Sequence, residues 1–175
     1  MPHLMRDFDD NDFPLAYLIT FRCYGTWLHG DVRGSMDRQQ HTYAAPKIPP
    51  HTRLEQSDFS QRKHPASILN SSHRALVESA IREVCDHRKY LLHAINVRTN
   101  HVHAVVTAMT KPEPILNAFK SYSTRAMRLK GVVKESGKLW SRHGSTVYLW
   151  KERDVAEAIQ YVMFGQGDEV FTRPG

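Results

Sequence analysis

The stretch TNHVHAVVTA, residues 99–108, sets two histidines, His101 and His103, one residue apart in a run of small and β-branched residues. On an extended strand successive side chains alternate, so His101, His103, Val105 and Thr107 share one face, and Val102, Ala104, Val106 and Ala108 share the other. The second set is apolar and small, suited to packing under helices. The two imidazoles stand one strand repeat apart, about 7 Å between Cα atoms, so both can lean onto one ion. Imidazole suits Zn, Mn, Fe or Ni, and can hold Mg when phosphate oxygens complete the shell. The same spacing also describes two half-exposed strand histidines with no ion, and the motif by itself does not choose between them.

A second cluster lies downstream in NAFKSYSTRAMR, where Tyr122 follows Lys120 and precedes Arg125 and Arg128. Basic residues around a phenol favour the phenolate and neutralise phosphoryl oxygens, which is what nucleophilic attack on phosphorus needs. Tyr122 also falls on the stripe Ile115, Phe119, Tyr122, Ala126, Leu129, the spacing of a core-facing helix surface, so a packing role stays open. The chain has no HExxH, GxxxxGK[ST], EF-hand loop or GxSxG, and those chemistries lack their parts. A two-histidine phosphoesterase needs a pair of H-x-[ST] motifs. His143-Gly144-Ser145 fits, but neither histidine of the HVH run does.

The elements that must hold these residues can be read from periodicity. PLAYLITFRCYGTW (14–27) alternates with period two and reads as a first strand. From about 25 to 69 the pattern dissolves into Gly, Pro and charge, a long irregular insertion. NSSHRALVESAIREVCDHRKY (70–90) reads as a helix capped by Asn70, Ser71 or Ser72, with Leu76, Ala80, Ile81, Val84 and Cys85 facing a core. Strands at 90–98 and 101–108 follow across a tight turn. Pro112 and Pro114 open a second helix that Gly131 ends. A basic loop containing GKLWSRHGS leads to a strand at 145–150, and a last helix with Asp154 as its cap closes the chain. The order β-α-β-β-α-β predicts an α+β, ferredoxin-like (RRM-like) sandwich: a four-stranded antiparallel sheet with helices on one face, plus a C-terminal helix. This fold serves RNA binders, metal carriers and nucleases alike, so it does not decide function.

At 175 residues, 41% hydrophobic and 24% charged, the chain reads as one domain over 1–175 with an ordinary core. No apolar run approaches the roughly 20 residues that cross a bilayer, and the first twelve residues hold four Asp and one Arg, unlike a secretory or transit leader. A cytoplasmic protein with no membrane partner is expected. Cys23 and Cys85 offer neither a disulfide framework nor a zinc-finger spacing. The net charge of +6 is unevenly spread: residues 111–153 carry ten Lys or Arg against three Glu. Such a half attracts polyanions through counterion release.

TNHVHAVV resembles the N-H-V-H segment of the HUH tyrosine transposases, in particular the insertion-sequence and REP-associated members with a single catalytic tyrosine. NAFKSYSTRAMR resembles the helix carrying that tyrosine. LWSRHGSTVYLW and AIQYVMFGQG resemble the Trp-containing strand and closing helix, and ITFRCYGTW the first strand. The resemblance implies a DNA-transposition enzyme that cleaves and rejoins single-stranded DNA bearing hairpin ends. His101 and His103 would hold one Mg or Mn ion, and Tyr122 would form a 5′-phosphotyrosine link. Lys120, Arg125, Arg128, Arg142 and His143 would bind DNA. Relatives are both monomers and homodimers. Many members place a Gln or Asn ligand about one turn after the tyrosine, where this chain has Ala126 and Met127; His143, Asn100 and His29 are the alternatives. The competing reading is a domesticated or inactive relative, a single-stranded nucleic-acid-binding module that stacks bases on Tyr148 and Trp150.

Overall fold

A computed structural model describes residues 13–26, 35–36, 47–48 and 67–165. Its elements are β1 (Ala16–Cys23), β2 (Ser35–Met36), β3 (Lys47–Ile48), α1 (Ser71–Arg88), β4 (Leu91–Val97), β5 (His101–Thr107), α2 (Pro112–Leu129), β6 (Trp140–Leu149) and α3 (Glu152–Phe164). The main sheet has the order β4-β5-β1-β6 with every neighbouring pair antiparallel, which is the ferredoxin-like arrangement. Within the expected insertion the two-residue strands β2 and β3 pair with each other. Trp27 and His29 lie outside the described residues.

Local signals explain the helices. The Asn70 side chain accepts from the backbone N–H of His73 at 2.9 Å, satisfying one donor that the first turn of α1 leaves unpaired. Proline in the first turn starts α2, and the chain leaves it at Gly131 with φ of +69°, a conformation that glycine adopts without strain. Lys151, not Asp154, precedes α3 as its N-cap and makes no side-chain cap; Asp154 lies inside the first turn. A carboxylate there still meets the positive end of the helix dipole.

Two apolar clusters sandwich the sheet. The larger joins Tyr17, Ile19 and Phe21 of β1 and Val102, Ala104 and Val106 of β5 to the buried faces of α1 and α2. The smaller joins Ala16, Leu18, Ala94, Val105, Val147 and Leu149 to Ala158 and Val162 of α3. The first two helices thus share one face, as the pattern predicts, and the closing helix covers the other. In α2 the buried stripe runs through Ile115, Leu116, Phe119, Ser123 and Met127. Leu129, expected in the core, is 78% exposed, because the helix is rotated toward Met127. Trp140 packs edge-on against Phe21 at 4.7 Å and donates its indole N–H to Ser123 Oγ at 3.1 Å.

Candidate active site on the second face of the sheet

Alternation along β5 sends Val102, Ala104 and Val106 into the larger cluster and His101, His103 and Val105 to the face that α3 covers. The two histidines are both buried, with ring centroids 4.7 Å apart and planes at 81°. Each has a partner that orients it. His101 Nδ1 lies 2.6 Å from Asn100 Oδ1, and His103 Nδ1 lies 2.8 Å from Thr20 Oγ1 on the adjoining strand. With Asn100 Oδ1 accepting, His101 carries its proton on Nδ1, and Nε2 is the nitrogen with which it would ligate. The Thr20 hydroxyl, able to donate or accept, holds the ring of His103 in place through its Nδ1. Ligands prepared this way characterise metal-binding imidazoles. Two nitrogens fit a divalent ion whose remaining ligands are water and phosphate oxygens.

Among the described residues no group of three His, Cys, Asp or Glu forms around the pair. Asn100 is bonded to His101 through its amide oxygen. His143 stands on β6, with β1 lying between it and β5.

The aromatic side chain that meets the histidines is Tyr161. Its ring lies 5.6 Å from that of His103, with planes at 82°, and it is 39% exposed. Tyr122, the tyrosine singled out in the sequence, is half-buried and packs on the larger cluster under α2. The sheet therefore stands between Tyr122 and the histidines. The signal that could have found Tyr161 was the apolar alternation of β1, whose even residues Ala16 and Leu18 need a cover of their own. Only the closing helix was left to supply it.

Two arginines neighbour His101 along the main chain. Arg98 closes the hairpin with His101, its N–H donating to the His101 carbonyl at 2.8 Å, and Arg22 pairs with His101 from β1. Neither carries a sequence signal of its own: Arg98 opens the Arg98-Thr99-Asn100 stretch that reads as a turn. Lys120, Arg125 and Arg128 do not reach this face. Lys120 Nζ donates to backbone carbonyls of β6, Arg125 is exposed on α2, and Arg128 donates to the Glu135 carbonyl at 2.9 Å. Arg142 and His143 are exposed, and they lie in β6 itself, not in a loop preceding it. Burial, and Arg22 nearby, pull the Lys120 ammonium down to about 8. Burial pushes the thiol of Cys23 up to about 12 and that of Cys85 to about 11, which leaves both poor nucleophiles.

Residues 61–162 match the family described as IS200-like transposases, and the chain belongs to that family. A REP-associated tyrosine transposase solved bound to a REP hairpin superposes with a TM-score of 0.50 at 13% identity, covering 86% of this chain. This chain spans 65% of that protein's length. A candidate transposase of Deinococcus radiodurans R1 aligns at 14% identity with a TM-score of 0.44, covering 87% of this chain and 92% of that one. No curated protein matches the sequence. Among the described residues no helix is long and apolar enough to cross a membrane.

Proposed function

We propose that this transposase cuts and rejoins single-stranded DNA through a phosphotyrosine on Tyr161, beside a divalent ion held by His101 and His103. The observation that carries the reading is the edge-on meeting of Tyr161 with His103 on the face where both histidines are oriented by hydrogen bonds. A bound Mg or Mn ion would supply Lewis-acid polarisation of the scissile phosphate. Tyr161 Oη attacks phosphorus and loses its proton, the bond to the 3′ oxygen breaks, and that oxygen takes up a proton. The products are a 5′-phosphotyrosine and a free 3′-OH. Attack by a new 3′-OH reverses the step and conserves the phosphodiester bond energy, so no nucleotide cofactor is needed. Arg22 and Arg98 flank His101 and neutralise charge gathering on the phosphoryl oxygens. With Tyr161 as nucleophile, the turn after it reads Gly165-Gln166, and Gln166, outside the described residues, takes the place in the third-ligand pattern that Ala126 and Met127 could not fill. The REP hairpin bound by the structural relative supports a hairpin-bearing strand as substrate.

The competing reading, a nucleic-acid-binding module of the RNA-recognition type, needs an open sheet face with stacking aromatics. Here α3 covers that face, and Tyr148 packs against the larger cluster on the other one.

The test is a denaturing gel of labelled hairpin-bearing single strands incubated with protein and Mn. Wild type and Tyr122→Phe should form a covalent adduct; Tyr161→Phe should lose it by several orders of magnitude in rate. Loss of the adduct in Tyr122→Phe with retention in Tyr161→Phe would reverse the assignment. No adduct from wild type with any hairpin strand would remove the strand-cutting reading altogether.

A further inference from the structure

The chain leaves both α2 and α3 at a glycine, for different reasons. Gly131, after α2, has φ of +69°, and a Cβ there would meet nothing within 4 Å, so conformation alone calls for glycine. Gly165, the C-cap of α3, has φ of −86° and ψ of 1°, a region open to residues with a side chain. Space is what it lacks. A Cβ at 165 would fall 2.8 Å from Cδ2 of the Tyr161 ring, 2.9 Å from the Tyr161 carbonyl oxygen and 3.0 Å from the Tyr161 Cα. Both the oxygen and the Cα are main chain, so a new rotamer of Tyr161 would not by itself make room.

Positions four apart are neighbours on a helix surface, and residue 165 follows Tyr161 by four. The Gly165 N–H donates to the Tyr161 carbonyl at 2.9 Å, while Asn96 holds the next carbonyl, that of Val162. Both anchors act on the main chain of the last turn. The Tyr161 ring has His103 edge-on at 5.6 Å and the empty Cβ position of Gly165 at its Cδ2 edge. A side chain at 165 would press on the ring and on the Tyr161 main chain together, and so move the phenol relative to the imidazole pair. Misplacement by about 1 Å is enough to cost about 100-fold in rate.

We infer that Gly165 is a positioning residue for the Tyr161 nucleophile: its missing side chain leaves the space that lets the phenol ring lie beside His103. Gly165 acts only through Tyr161. The inference rests on Tyr161 being the attacking group.

Gly165 is exposed at a helix end, so Gly165→Ala leaves the core untouched. With Mn and hairpin-bearing single strands at saturation, its single-turnover rate of adduct formation should fall about 100-fold. The strand concentration at half-saturation, and the Mn affinity read by calorimetry, should stay at wild-type levels. NMR of the metal-free protein gives a readout independent of the chemistry. The ring current of Tyr161 displaces the His103 imidazole proton signals, and Gly165→Ala should move them toward their positions in Tyr161→Leu. Phe164→Ala, one residue earlier and 76% exposed, should match wild type in rate and spectrum. An unchanged rate in Gly165→Ala, or unmoved His103 signals, overturns the inference. An equal loss in Phe164→Ala also overturns it, because any change at the helix end would then suffice. An adduct that survives Tyr161→Phe removes the nucleophile assignment and the inference with it, whereas loss in Tyr161→Phe beside an unaltered Gly165→Ala sinks the role of Gly165 alone.

Discussion

The Asn96 side chain on β4 donates to the Val162 carbonyl of α3 at 2.9 Å. Val162 follows Tyr161 directly, and its carbonyl is among the last four that a helix leaves without an internal partner. Asn96 also pairs with His103 across β4 and β5. One strand residue therefore fixes the register of the proposed nucleophile against the proposed ligand. Replacing it with alanine should cost about 1 kcal/mol of stability. Adduct formation in single-turnover reactions should slow far more than Mn binding weakens. Equal losses in the two measurements would mean that Asn96 supports the histidines and not the helix.

Thr20 holds the Nδ1 side of His103. Thr20→Val keeps the shape and removes the oxygen, so metal affinity at the pair should fall about 10–100-fold. Thr20→Ser should retain it, and calorimetric titration with Mn reads both. Asn100→Ala should behave toward His101 as Thr20→Val does toward His103.

Gly144 has no room for a side chain. An added methyl would fall 2.7 Å from the Thr20 carbonyl oxygen and meet both terminal carbons of Leu116 at 3.0 Å, so β6 could not stay seated between β1 and α2. Gly144→Ala should destabilise the fold by about 1–3 kcal/mol, seen as a lower urea midpoint with an unchanged slope. An unmoved midpoint would show that the edge strand shifts freely.

Lys120 carries a pH signature. Its ammonium is drawn from an ordinary 10.5 to about 8 by burial and by Arg22. Between those values the folded protein binds fewer protons than the unfolded chain, so stability rises with pH there. The contribution of this group is thus smallest below about pH 8 and grows as pH climbs toward 10.5. Compared by urea unfolding at about pH 7 and about pH 9.5, wild type should gain on Lys120→Met at the higher value. A constant difference would place the titration elsewhere.

Much of the architecture was legible because it follows from local periodicity. The alternation of β1, the Asn70 cap and the proline start of α2 each act over a few residues, and the strand order follows from the sequence of elements. The histidine pair was legible for the same reason: its shared face is a property of one strand. Choosing the tyrosine was not a local question. Lys120, Arg125 and Arg128 made Tyr122 look like a phosphate-facing phenol, yet Lys120 turns to carbonyls of β6 and Arg128 to Glu135. Which tyrosine meets the histidines depends on which helix covers which face of the sheet, and that is settled only when distant segments pack. The first half of β6 escaped notice similarly, since a basic stretch with a glycine reads as a loop until its carbonyls find their cation.

The helix bearing Tyr161 is lightly fastened. Among its residues only Ala158 and Val162 are fully buried, against five in α1 and seven in α2. Lifting α3 from the sheet would uncover only the smaller of the two clusters, so its opening free energy lies below that of α1 and α2, which close the larger one. The part of the molecule that would carry a joined DNA end is then the part that lets go first. The histidines stay behind on a strand locked between two others, so under the proposed chemistry a covalently held end would travel while the histidine pair keeps its shape.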